Sequence, residues 1–171
     1  MTLWKGGSYE PRTKRNLILI AVLAILVAAV ILWAKTPRTF EQAMGSGFDR
    51  TRVDQVHAFV PTVRGGEADT HEVILFPDDP ACEALWALLD EQEFYPALEK
   101  VDSQQMQLDH YAYVAFMTQE EDGWYSYRVD IPGSRYIQIL DHKNRYFSPS
   151  GGLEFQQEVI DLLLAQPNTS S

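Results

Sequence analysis

Residues 111–131, YAYVAFMTQEEDGWYSYRVDI, decide the reading of the main body. Apolar and polar side chains alternate on either side of Glu120-Glu121-Asp122-Gly123. Alternation with period two marks a half-buried strand, and an acidic cluster ending in Gly marks a tight hairpin turn. Strands are therefore expected over 111–118 and 124–131. Tyr125, Tyr127 and Val129 point to one side, and Ser126, Arg128 and Asp130 to the other.

The pattern continues outward from this hairpin. Pro132-Gly133-Ser134 turns the chain into a strand at 136–140, and Asp141-His142-Lys143-Asn144 turns it into a short one at 145–147. These segments make an antiparallel meander. Ser148-Pro149-Ser150-Gly151-Gly152 stops it. From 153 to 165, Leu153, Val159, Ile160, Leu163 and Leu164 form one stripe opposite Gln156, Gln157, Glu158 and Asp161, which predicts an amphipathic helix. Pro167 closes it, and 167–171 is a polar tail.

Toward the N-terminus, 94–96 ends a helix expected over 80–92. Asp79 suits its cap, Pro80 its first turn, and Leu85, Leu88 and Leu89 recur at helical spacing. Before it, 53–60 and 70–76 read as strands of a hairpin turning at Arg64-Gly65-Gly66-Glu67. The expected body, 53–166, is an α+β domain of order β-β-α-β-β-β-β-α, an antiparallel sheet with two helices packed on one face. Residues 35–52, with Pro37, Gly45, Ser46 and Gly47, read as a stalk or linker.

Ahead of the stalk lies a different kind of sequence. Residues 17–34, LILIAVLAILVAAVILWA, contain no polar side chain apart from the indole of Trp33. As a helix they span about 27 Å, close to the ~30 Å hydrocarbon core of a bilayer. Their Leu, Ile and Val favour insertion by about -4 to -7 kcal/mol. A lipid bilayer is thus the expected partner of 17–34. Lys5, Arg12, Lys14 and Arg15 precede the run, against Lys35 and Arg38 close behind it. That balance predicts a cytoplasmic basic tail at 1–16, a signal anchor, and an extracytoplasmic body at the cell membrane. The alternative is a secretory signal cleaved after Val27-Ala28-Ala29, but the apolar run outlasts a signal core of about 7–15 residues. A tail of this size is too short to fold into a signalling domain. Ala21, Ala24 and Ala28 share a helix face and offer a weak helix-pairing surface.

Charge divides at the same place. Of the formal net charge of -10, residues 1–34 carry +3 and 35–171 carry -13. Such an acidic body excludes nucleic acid as a partner, since phosphate backbones are held by clustered Lys and Arg. One cysteine, Cys82, excludes an intramolecular disulfide and a Cys-based zinc site.

The stretches FPDDPACEALWALLDEQEFYP (76–96), WYSYRVD through RYIQIL to RYF (124–147) and LEFQQEVIDLLLAQ (153–166) carry a resemblance. The layout resembles uncharacterised membrane-anchored extracytoplasmic domains of unknown function from Gram-positive bacteria. That resemblance implies an anchored surface domain and supplies no catalytic residues.

Phosphate-binding, dinucleotide, zinc-protease and nucleophile-elbow motifs are all missing. No two of His57, His71, His110 and His142 are four apart, as a metal-binding helix face requires. The expectation is therefore no cofactor, no metal and no assigned catalytic residue. Asp109-His110 and Asp141-His142 support the alternative of a small cell-surface hydrolase. The leading expectation is a binding or structural module. Residues 94–155 hold 12 of the chain's 20 aromatics. Should one sheet face lie open, Tyr113, Trp124 and Arg128 are the expected partner surface.

Overall fold

The computed structural model describes residues 10–64, 66–97, 111–140 and 144–169. The chain separates into two compact units, residues 1–35 and 36–171. The first contains one helix, α1 (Glu10–Lys35). It runs further than the apolar stretch because Lys14 and Arg15 are good helix formers that continue the turn. Within Lys14–Lys35 an 18-residue window reaches a mean hydropathy of 3.2, and none of that window is buried. By length and composition it can cross a membrane.

The second unit is α+β. Its elements are α2 (Phe40–Met44), a 3-10 turn (Arg50–Arg52), β1 (Gln55–Arg64), β2 (Glu67–Leu75), α3 (Pro80–Asp90), β3 (Phe94–Pro96), β4 (Ala112–Glu120), β5 (Gly123–Ile131), β6 (Ile137–Leu140), β7 (Arg145–Pro149) and α4 (Gly152–Leu164). Among the described residues the strands form one seven-stranded sheet, ordered β2-β1-β4-β5-β6-β7-β3, with antiparallel neighbours throughout. The expected meander is present, with β4 and β5 joined through Glu120 opposite Gly123.

Two sequence expectations need correction. The first concerns residues 94–96, read as a helix stop. They form β3, a seventh strand that pairs with β7 through Phe94 opposite Pro149. A three-residue strand is too short to show alternation, and Phe94 is fully buried.

The second concerns the stalk at 35–52, most of which belongs to the body. Phe40, Ala43, Met44, Phe48 and Val53 are all core residues. The Phe40 ring lies 5.3 to 6.1 Å from those of Phe48, Trp86, Phe94 and Phe116. Thr39 and Gln42 form a capping box that starts α2. Gly45, at φ 101°, ends it in a conformation that a side chain would strain. The Arg145 guanidinium then donates to the Met44 carbonyl at 2.9 Å. Only Thr36 and Pro37 lie between α1 and Arg38, which exchanges two backbone hydrogen bonds with Phe94.

One parity of strand residues supplies the core: Val56, Ala58 and Val60 on β1, Val114 and Phe116 on β4, Val129 and Ile131 on β5. Leu85, Trp86 and Leu89 of α3, with Phe155, Val159, Ile160 and Leu163 of α4, belong to the same cluster. At roughly 1.5–3 kcal/mol for each large apolar side chain, this cluster is the main source of stability. Gln156, expected on the polar face of this helix, is instead buried, because its amide donates to the carbonyls of Ser134 and Tyr136 and ties α4 to the β5–β6 turn.

Among the described residues both sheet edges are covered in part, with Ile74 of β2 left open between two covered positions. At β3 the cover is Arg38. At β2 the tail does it: Glu72 donates to Asn168 Oδ1 at 3.2 Å, and Thr169 donates its amide to the Glu72 carbonyl at 2.8 Å. Asp79 was expected to cap α3. Its side chain instead accepts from the Phe76 amide at 2.7 Å, closing the last edge position of β2, and makes no bond to the helix.

Candidate functional site

The opposite parity of the sheet carries the residues singled out as a partner surface. Tyr113 stands opposite Asp130, Arg128 opposite Ala115 and Trp124 opposite Gln119, so all three share one face. They do not form one patch. Trp124 and Tyr113 sit six residues apart along the hairpin, about 20 Å at ~3.3 Å per residue. Trp124 stands half-exposed at the acidic tip.

Tyr113 and Arg128 are close enough to interact, and the Phe59 ring lies 5.8 Å from that of Tyr113. Burial raises the Tyr113 pKa above the ordinary phenol value, and Arg128 partly offsets the rise. Tyr111 donates to Asp130 Oδ1 at 2.8 Å. Asp130 is 8% exposed, and burial raises its pKa above the usual carboxylate range, which the Tyr111 bond partly offsets. This face is a half-buried aromatic band holding one partnered carboxylate.

A cleft of about 510 Å³ opens at the end of the sheet where β1 starts and α3 begins. Asp54, Asp78, Asp79 and Glu83 line it, with Arg50 and Trp86 on its wall. The carboxylates already serve the fold. Asp54 accepts from the Gln119 amide at 2.7 Å, and Asp79 accepts from Phe76. Arg50 lies 4.5 Å over the Trp86 ring and bonds Asp90 at 2.6 Å. Cys82 is fully buried there, and burial raises its thiol pKa, the opposite of an activated nucleophile. Among the described residues no three His, Cys, Asp or Glu side chains gather closely enough to hold a metal.

Of the Asp-His pairs, Asp109-His110 and Asp141-His142 lie outside the described residues, except for Asn144 beyond the second turn. His57 bonds Gln55 at 2.9 Å on the aromatic band. The Nε2 of His71 is buried with no partner among the described residues.

A second hollow, of about 630 Å³, runs along the free edge of β2 between α3, α4 and the tail. Its walls are mainly apolar, with Ile74, Phe76, Ala81, Ala84, Leu162 and Pro167 among them. This groove escaped the sequence reading, because its walls come from three distant segments. A charge signal was there to find: residues 66–97 contain nine acidic residues and no Lys or Arg. Residues 146–171 add three acidic residues and again no Lys or Arg. Set against family models, curated proteins and solved structures, the chain matches none of them.

Proposed function

We propose that the protein is a single-pass, membrane-anchored extracytoplasmic domain acting as a binding or structural interaction module. The observation that carries this reading is α1, whose Lys14–Lys35 segment is long and contains a strongly apolar window, none of it buried. Left in water, it would expose a continuous apolar surface that soluble chains avoid. The basic residues ahead of it favour a cytoplasmic N-terminus at the cell membrane. We read α3 and α4 as one layer over a single sheet face, supported by their shared core with one strand parity. That arrangement leaves the band around Tyr113 and Arg128 for contact. The anchored surface domains of Gram-positive bacteria that the layout resembles are in keeping with this role. The Asp-His pairs on which the hydrolase alternative rests lie outside the described residues.

The test is protease protection on intact cells carrying a C-terminal tag. The tagged body should be shaved from whole cells, while an N-terminal tag is cut only after lysis. Protection of the body until lysis would reverse the orientation. Recovery of the tagged body in the wash fraction, lacking residues 1–29, would show a cleaved signal.

A further inference from the structure

The groove beside β2 combines three features. It has an apolar floor of a volume that side chains of a partner can fill. Phe76 stands 47% exposed at one end of it, an aromatic surface without an apolar cover. It also borders a free main-chain edge. In an antiparallel strand, alternate residues direct both amide and carbonyl the same way. Glu72 directs both away from β1 and is taken by the tail. Phe76 is taken by Asp79. Ile74, between them, faces the same way, and no described residue pairs with it.

The segments that wall the groove are of one sign. β2, α3, α4 and the tail lie within stretches that contain no Lys or Arg, and Asp79 lines the groove itself. A second copy would set acidic β2 against acidic β2, which like charges oppose. We infer that the β2 groove docks an extended, cationic segment of a partner protein. An apolar side chain of that segment fills the space beside Phe76 and Ala84. Its main chain pairs with Ile74, and its Lys or Arg residues meet the acidic rim. Strand addition of this kind draws affinity from the main chain and selectivity from charge and pockets. The inference specifies the partner chemistry for the interaction role proposed above.

The test uses the full chain in uncharged detergent micelles. The probes are fluorescein-labelled octapeptides of alternating Lys and Val, and of alternating Glu and Val. The Lys peptide should bind, and the Glu peptide should bind at least tenfold more weakly. Ala84→Lys fills the groove and reverses its charge. Ile74→Pro removes one edge amide that makes no ladder bond, a position where Pro is tolerated. Each should weaken the Lys peptide at least tenfold with an unchanged melting temperature. Glu121→Lys, a larger positive charge change placed at the β4–β5 tip outside the groove, should leave binding within twofold. Failure of the Lys peptide to bind, equal binding of both peptides, or an equal loss in Glu121→Lys overturns the inference. So does a dimer in sedimentation that Ala84→Lys dissolves, because the groove then holds a second copy. Peptide binding in micelles is independent of membrane orientation, so a reversed topology in the protease test leaves this result standing.

Discussion

Tyr111 and Asp130 show how much one hydroxyl does at a half-buried face. The carboxylate is nearly inaccessible, and burial makes its charged form unfavourable. The Tyr111 hydroxyl offsets part of that penalty. Since the folded-state pKa of Asp130 is raised, its contribution to stability is full below the ordinary carboxylate pKa and is lost as pH rises through the raised value. Tyr111→Phe removes the donor and leaves a buried charge less compensated. At pH 7 it should cost about 1–3 kcal/mol. The cost should shrink toward pH ~4, where the carboxyl takes up its proton. Urea melts of both proteins at the two pH values check the size and the sign.

Among the elements, α2 separates a stalk from a body most directly. A spacer would tolerate loss of a ring, whereas Phe40 is 2% exposed among four aromatic neighbours. Phe40→Ala should cost about 3–5 kcal/mol in a denaturant melt, with α1 unaffected by far-UV circular dichroism. The same element shows what the sequence made readable. The β4–β5 hairpin was plain because 18 alternating residues in two strands and a Gly-ended turn all agree. The apolar run of α1 was plain because one property persists over many residues. Phe40, Ala43, Met44 and Phe48 also recur at helical spacing, but a five-residue helix gives the period too little length to register. β3 was hidden for the same reason, and because its partner β7 lies some fifty residues downstream. The shared face of Tyr113, Arg128 and Trp124 followed from parity alone. Their separation along the strand, and the groove beside β2, depend on register and on packing between distant segments, which local patterns do not encode.

Taken as a whole, the chain divides into two compact units, residues 1–35 and 36–171. Among the described residues, every member of the hydrophobic core cluster lies at Phe40 or beyond. Residues 36–171 produced alone should therefore be soluble and unfold cooperatively, with a melting temperature within a few degrees of that of the full chain in detergent. Calorimetry on both forms checks this, and a large drop would show that α1 supports the fold. The charge of -13 on residues 35–171 favours solubility of that fragment.

The two-residue passage from α1 to Arg38 has a mechanical side. Tension along the anchor finds no slack chain to stretch before it reaches folded structure. It arrives first at the pair of hydrogen bonds joining Arg38 to Phe94, on the shortest strand of the sheet. Under load this two-bond bridge is expected to part before the longer pairings of the central strands. Its rupture lets out the 38–53 segment and pulls Phe40 from among the rings it fills. A pull on α1 would thereby be turned into an opening of the hydrophobic core.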